Sequence, residues 1–254
     1  MQILLANAKI MFPPDKVNRK PSSEPLFQSV ANMLASEMAK MDVLELAKQL
    51  DCSRSIAAEN WRRFQDFFVS DKMPAILVYN GQAYKHLRAN TLSEEALAFG
   101  QKHLWITCFL YGLLRPMDGI VPYRMEHCVT LEATHDKPVN QFWKDKLTDV
   151  LIDSVKADDG ILIHLSTEEY EHLFDWKRVK EEVNVIQPLF YVRKPNGELK
   201  MQAVWAKSCR GAMVRMMLQQ QLMFPEELKA FCHEGFEYDP HLGEEAYPHF
   251  VRES

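Results

Sequence analysis

Apolar residues recur along this chain with two periods, and the period changes often. Ile3 to Ala6 is a short continuous apolar run that predicts a buried strand, with Lys9 just past its end. Leu26 to Met38 carries apolar residues at helical spacing, and Val43 to Leu50 continues it through Leu44, Leu46, Ala47 and Leu50. Asp51-Cys52-Ser53 supplies turn and N-cap chemistry before a third helix from about Arg54 to Phe68. The last two segments predict a helical hairpin over residues 43–68 that carries Arg54, Arg62 and Arg63 with Asn60 and Trp61. Hairpins of this kind are common packing units, and some dock on a nucleic-acid backbone through the turn and the start of the second helix.

Ala75 to Tyr79 reads as a strand after Pro74, and Asn80-Gly81 turns it into a short helix bearing Tyr84 and Lys85. Thr91 and Glu94 have capping-box spacing, which starts a helix ending near His103. The apolar run Leu104 to Leu114 predicts a buried strand or short helix that delivers its end to the loop Arg115 to Glu126. Further on, Phe142 to Val155 is an amphipathic helix, Gly160 to Leu165 is a strand, and Ser166 with Glu169 repeats the capping-box spacing. Val183 to Val192 and Leu199 to Trp205 predict a hairpin around Pro195-Asn196-Gly197. A helix through Met213, Val214, Met217 and Leu218 follows, with Lys207 and Arg210 in its first turn beside free backbone N–H groups. The segment from Pro13-Pro14 to Pro25 predicts a long surface loop.

Composition narrows the class. A chain of 254 residues, 47% hydrophobic and without linker, repeat or low-complexity tract, predicts one domain with a sizeable core. No apolar run is long enough to span a bilayer and the N-terminus lacks the charged lead of a secretory signal, so no membrane association and a cytoplasmic location are expected. The five cysteines, at Cys52, Cys108, Cys128, Cys209 and Cys232, are odd in number and scattered, which fits a reducing compartment. Neither cysteines nor histidines show metal-ligand spacing, so no metal and no cofactor are assigned. Cys209 lies between Lys207 and Arg210, where it is either a cation-activated thiolate or an inert buried thiol. The formal net charge of −5 requires any nucleic-acid binding to use a local cleft within an acidic surface.

The chemistry concentrates in Leu110 to Glu126. Gly112, Pro116, Gly119 and Pro122 constrain a loop that holds Arg115, Asp118, Arg124 and Glu126. Two guanidiniums can grip phosphate or carboxylate in forked fashion, and the acids can orient them or move protons; the same pairs also serve as loop-knitting ion pairs.

Several blocks occur together in order: Ala8-Lys9, Tyr79 with Gly81 and Tyr84, Tyr111-Gly-Leu-Leu-Arg-Pro-x-Asp118, Pro122-Tyr-Arg-x-Glu126, Glu169-Tyr170 and Ala206-Lys207-x-x-Arg210-Gly211. Over nearly the whole chain this resembles the YaaA-type peroxide-stress-resistance proteins. The resemblance implies a single α/β (mixed α+β) domain of unusual topology, with a mixed sheet, surrounding helices and a basic cleft that includes a helix-hairpin-helix-like element. It also implies DNA binding and a role in limiting peroxide damage linked to intracellular iron. The matching site positions are Lys9, Tyr84, Arg115, Asp118, Tyr123, Arg124, Glu126, Lys207 and Arg210. Ala6 and Asn7 stand where serine and proline are usual in that family.

Two mechanisms follow. In the first, Lys9, Arg115, Arg124, Lys207 and Arg210 neutralise phosphates of double-stranded or branched DNA, with Tyr84 or Tyr123 stacking or hydrogen-bonding. In the second, the same cluster acts on a phosphorylated small molecule or nucleic-acid end, with Asp118 or Glu126 as general base. A peroxide-sensing thiol at Cys108, Cys128 or Cys209 is the weakest reading, because no resolving pair is apparent.

Overall fold

The computed structural model describes residues 1–13 and 16–254. The first half contains β1 (Gln2–Ala6), α1 (Gln28–Met38), α2 (Val43–Gln49), α3 (Arg54–Gln65), β2 (Met73–Pro74), α4 (Ala75–Val78), α5 (Gln82–Leu87) and α6 (Glu94–His103). The centre contributes β3 (Leu104–Cys108), β4 (Gly112–Leu114), β5 (Gly119–Ile120), α7 (Val139–Lys156) and β6 (Ile161–Leu165). After them come α8 (Glu168–Glu171), α9 (Trp176–Glu182), β7 (Asn184–Ile186), β8 (Leu189–Arg193) and β9 (Leu199–Lys200). The chain ends with α10 (Ala203–Gln220), β10 (Cys232–His233), β11 (Phe236–Glu244) and β12 (Tyr247–Glu253).

Two five-stranded mixed sheets organise these elements. The first has the order β4-β3-β1-β6-β7, with β1 parallel to both neighbours and β4 antiparallel to β3. Its central strand is buried on both faces at Ile3, Leu4 and Leu5, which is why the segment reads as a continuous apolar run. The second sheet, β10-β11-β12-β8-β9, pairs β12 parallel to β8 and is otherwise antiparallel. Phe190, Phe231, Phe236 and Phe250 fill its inner face, with ring centroids 5.5–6.5 Å apart around Phe190. One cluster of buried side chains joins both large sheets and the helices, so the α/β class holds, with two mixed sheets and a two-stranded antiparallel ribbon of β2 and β5 in place of the single sheet expected.

The helical hairpin forms where the sequence puts it. Asp42 caps α2 in a capping box with Glu45, and Ser53 caps α3 through the Ile56 N–H. Gln49 fastens the end of α2 to Thr130 by accepting its N–H and donating to its carbonyl, at 3.2 and 3.1 Å.

Other expectations change. Ala75 to Val78 is a helical turn, not a strand, started by N–H bonds from Ala75 and Ile76 to the carbonyls of Asp118 and Pro116. Short apolar runs are ambiguous between the two states, and here tertiary partners decide. Leu104 to Leu114 is a hairpin of β3 and β4, so the chain reverses at Phe109–Tyr111 and Arg115 returns to the level of Leu104. The cap of α6 is Ser93, whose hydroxyl accepts from Ala96, while Thr91 closes the preceding 3-10 turn. Thr167, not Ser166, precedes α8 and makes no side-chain cap. Leu199 to Trp205 is strand only at Leu199–Lys200; α10 begins at Ala203, because Ala206, Cys209 and Met213 bury one helical face while Val204 stays 62% exposed. Of the loop expected from Pro13 to Pro25, residues 14 and 15 lie outside the described residues, and Ser23 bridges to Asp118.

Candidate functional site

In the first sheet the chain leaves β1 toward β3 on one side and later returns to β6 on the other, which makes β1 and β6 the switch point of the strand order. Connections after such strands diverge and leave a crevice at the carboxyl ends. A cavity of about 540 Å³ occupies that place, lined by the extension of β1 from Ala6 to Ile10, the start of α5, Thr167 to Tyr170 and, from α10, Lys207 and Arg210. Gly81 is required at its floor, since a Cβ there would come within 2.6 Å of the Ala8 side chain. Glu168 and Glu169 stand on its rim, so its lining carries both signs.

Lys9 and Arg124 meet at one carboxylate beside the cavity. Lys9 Nζ lies 2.6 Å from Glu126 Oε2 and Arg124 Nη2 lies 2.8 Å from Glu126 Oε1, with the Glu126 side chain 7% exposed. The helical hairpin abuts this trio: the Cys52 thiol is pushed up by burial, with Arg124 acting against that and Glu126 adding to it. Arg63, held by Glu59 at 2.5 Å, has its pKa lowered by burial and also senses Arg124.

Lys207 and Arg210 are the fifth and eighth residues of α10, so they do not lie at a helix N-terminus as expected. Their side chains reach the cavity from a helix flank. Neither has an acidic partner within ion-pair distance among the described residues, and the buried Nε of Arg210 has no hydrogen-bond partner. Burial lowers the Arg210 pKa, the mark of a charge held away from water. His164 on β6 lies near Arg210; burial lowers its pKa, Glu171 accepts from or faces its Nε2 at 2.9 Å, and its buried Nδ1 is unpartnered. The helix can approach this closely because Gly211 packs on the backbone of Ala83 in α5, where any Cβ would collide with the Ala83 carbonyl.

Behind the cavity the aromatic residues bond to one another. Tyr123 and Tyr79 share a 2.8 Å hydroxyl contact, Asn7 Nδ2 donates to Tyr123 Oη at 3.1 Å, and Tyr170 donates to Asn7 Oδ1. Tyr84 presents its ring to the cavity while its hydroxyl donates to the Ala6 carbonyl at 3.0 Å. Burial raises all four tyrosine pKa values well above the usual range, so these hydroxyls stay protonated. Tyr123 is thereby committed internally and does not line the cavity. Burial also pushes the Cys108 thiol up to about 11 and that of Cys209 up to about 12, the latter with Glu234 adding to the shift. Both are protonated thiols at neutral pH, which removes the activated-thiolate reading of Cys209.

Arg115 and Asp118 are not in this group. The hairpin reversal carries them to the amino ends of the strands, where the Arg115 guanidinium stacks 3.3 Å from the Trp105 ring centroid and donates to Gln2 Oε1 and the Leu104 carbonyl. Burial brings its pKa down to about 10. Asp118, buried and with its pKa raised by that burial, accepts from Ser23 Oγ at 2.6 Å and from the Arg115 N–H at 2.7 Å. Their contacts are those of a loop brace. Sequence reasoning missed Asn7, His164 and Gln82 as neighbours of the cavity; the one signal each gave was as a departure from the family pattern, Gln82 standing where an acid and His164 where an asparagine is usual.

The fold and the site define an α/β protein with a ligand-sized cavity at a topological switch point. The chain belongs to a family described as peroxide stress protein YaaA, whose profile matches residues 1–242. It is 40% identical over 247 residues to a UPF0246 protein of Bacteroides thetaiotaomicron, covering 96% of each chain. It is also 39% identical to a UPF0246 protein of Porphyromonas gingivalis over 256 residues and all of both chains. A UPF0246 protein of Legionella pneumophila is 32% identical over 259 residues, 99% of each. No helix among the described residues is long and apolar enough to cross a membrane.

Proposed function

We propose that this protein acts in peroxide-stress resistance, in the cytoplasm, by holding the phosphate backbone of DNA in the cavity and along the helical hairpin beside it. The observation that carries this reading is Arg210, a largely buried residue of the cavity wall whose buried Nε has no hydrogen-bond partner. A buried charge without a partner is costly, and an anion that enters beside it offsets that cost. Lys207 completes the pair, Lys9 and Arg124 extend the positive charge past Glu126, and the hairpin adds Arg63 in the manner of a helix-hairpin-helix element. Backbone contacts of this kind give little sequence preference and bind double-stranded or branched DNA alike. Protection from damage linked to intracellular iron then follows from occupancy of the DNA.

Fluorescence anisotropy of a labelled duplex and a branched DNA across a salt series tests the reading. The Lys207→Ala, Arg210→Ala double variant is expected to lose binding and to flatten the log–log salt slope by about 1.8, at about 0.9 per phosphate contact. Wild-type protein that binds neither DNA at low salt would end the proposal. A second reading, chemistry on a phosphorylated small molecule or nucleic-acid end, is favoured by the partly enclosed shape of the cavity and by the acid at its edge, Glu126. Glu126→Gln separates the two: it frees Lys9 and Arg124 and tightens DNA binding in the first, and abolishes turnover with binding retained in the second.

A further inference from the structure

His86 and His233 are 147 positions apart in the chain and 3.0 Å apart in space, Nδ1 of the first against Nε2 of the second. Their rings stand nearly perpendicular, at 84°, with centroids 5.0 Å apart. A carboxylate oxygen of Glu234 lies 3.8 Å from the same Nε2, and one ligand atom from each of the three residues fits within a 4.8 Å span. Around a tetrahedral first-row cation with bonds of about 2.0–2.1 Å, neighbouring ligand atoms are about 3.3–3.4 Å apart. The two observed separations bracket that value. We propose that His86, His233 and Glu234 form a binding site for a divalent transition-metal cation of the zinc class, with water in the fourth position.

The surroundings supply what such a site needs. The ring nitrogen of His86 that points away from His233 lies 3.3 Å from the Gln82 amide, which is itself tied to Ser208 Oγ at 2.8 Å. In this arrangement that amide N–H faces Nε2, so the ring proton sits on Nδ1 against His233; a cation taking Nδ1 displaces the proton to Nε2 and requires the Gln82 amide to turn its carbonyl toward it. His233 and Glu234 are positioned by a tight turn: β10 and β11 pair His233 with Phe236, leaving Glu234 at φ +48° and Gly235 at φ +81° as a two-residue loop. A hydrogen-bonded histidine pair accounts for the 3.0 Å distance alone; the added carboxylate is what makes the set a ligand group. Cys232 takes no part, because it pairs with Glu237 on the other side of the strand, its thiol facing that carboxylate at 3.5 Å. A bound cation would clamp α5, whose Gln82 and Tyr84 line the cavity, to the β10–β11 hairpin.

Titration of metal-free protein with Co²⁺, followed by its visible absorption and then displaced by Zn²⁺, tests the site without any DNA. The expected result is one ion per chain with the spectrum of a tetrahedral centre. His86→Gln and His233→Gln should each weaken binding by about 100-fold or more, since loss of an outer partner alone costs about 10–100-fold. Glu234→Gln, an exposed change that does not threaten folding, should weaken it by about tenfold. Zn²⁺ should raise the urea midpoint of wild type and leave that of the histidine variants unmoved. Wild-type protein that takes up no Co²⁺ in several-fold excess overturns the proposal, as does a Glu234→Gln protein that binds with wild-type affinity and spectrum.

Discussion

The two ends of the first sheet hold similar residues in opposite conditions. At the amino ends of the strands, Arg115 lies on Trp105 with its N–H groups taken by Gln2 and Leu104, and Asp118 is satisfied by Ser23 and the Arg115 backbone. At the carboxyl ends, Arg210 has a buried Nε with no partner and Lys207 none within ion-pair reach among the described residues, beside about 540 Å³ of open cavity. Both ends look alike as composition. What separates a brace from a binding group is whether its polar atoms are already satisfied, and that is a property of the fold.

The sharpest way to break this comparison is to delete one arginine from each end. Arg115→Ala should cost about 2–3 kcal/mol of stability, since it leaves buried acceptors unpaired and removes the ring contact. Urea unfolding checks this, and DNA affinity per folded molecule should stay within about twofold. Arg210→Ala should do the reverse, leaving the urea midpoint near wild type while DNA affinity falls. If both variants lose affinity equally, the division between the ends is wrong.

Asp118→Asn is a smaller probe. It replaces an acceptor facing the Arg115 N–H by a donor and should cost about 1–2 kcal/mol without touching DNA binding.

Titration offers the finest discrimination. His164, near the cavity, has its pKa lowered from 6.5 chiefly by burial, so the stability that goes with its neutral ring is full above 6.5 and is lost as pH falls from there toward its lower folded value. Asp158, at the amino ends, is raised by burial but more strongly lowered by the Gln2 amide and the chain's amino group. Its contribution is present above 3.8 and lost only as pH falls toward its lower folded value. Urea midpoints against pH should therefore show two steps, the upper one missing in His164→Gln and the lower one in Asp158→Asn.

Much of this arrangement was legible in sequence where local chemistry decides. Asp42 and Ser53 start their helices as their side chains dictate, and Ile3 to Leu5 reads as a central strand because both of its faces are buried. Ala75 to Val78 was misread because a four-residue apolar run has no period to measure. The grouping of Arg115 and Asp118 with Arg124 and Glu126 followed from proximity in sequence, yet the reversal between β3 and β4 brings Arg115 and Asp118 to the amino ends, and the chain then runs back through β5 so that Arg124 and Glu126 meet Lys9 past the end of β1. No local pattern reports such a reversal, nor the meeting of His86 with His233 across 147 residues. By contrast, Lys9, Arg124, Glu126, Lys207 and Arg210 do come together around the strand ends, although Lys207 and Arg210 arrive from the flank of α10 and not from its first turn.

The contact of Gly211 with Ala83 sets a dimension. Because α10 rests directly on the backbone of α5 at this point, no side chain stands between them there whose rotamer sets their separation. The backbone spacing from which Lys207 and Arg210 extend toward the end of β1 is therefore fixed at this contact, a gauge whose width no rotamer resets. If the cavity takes an anion as proposed, that fixed spacing should go on excluding molecules by girth at salt concentrations that strip electrostatic preference away.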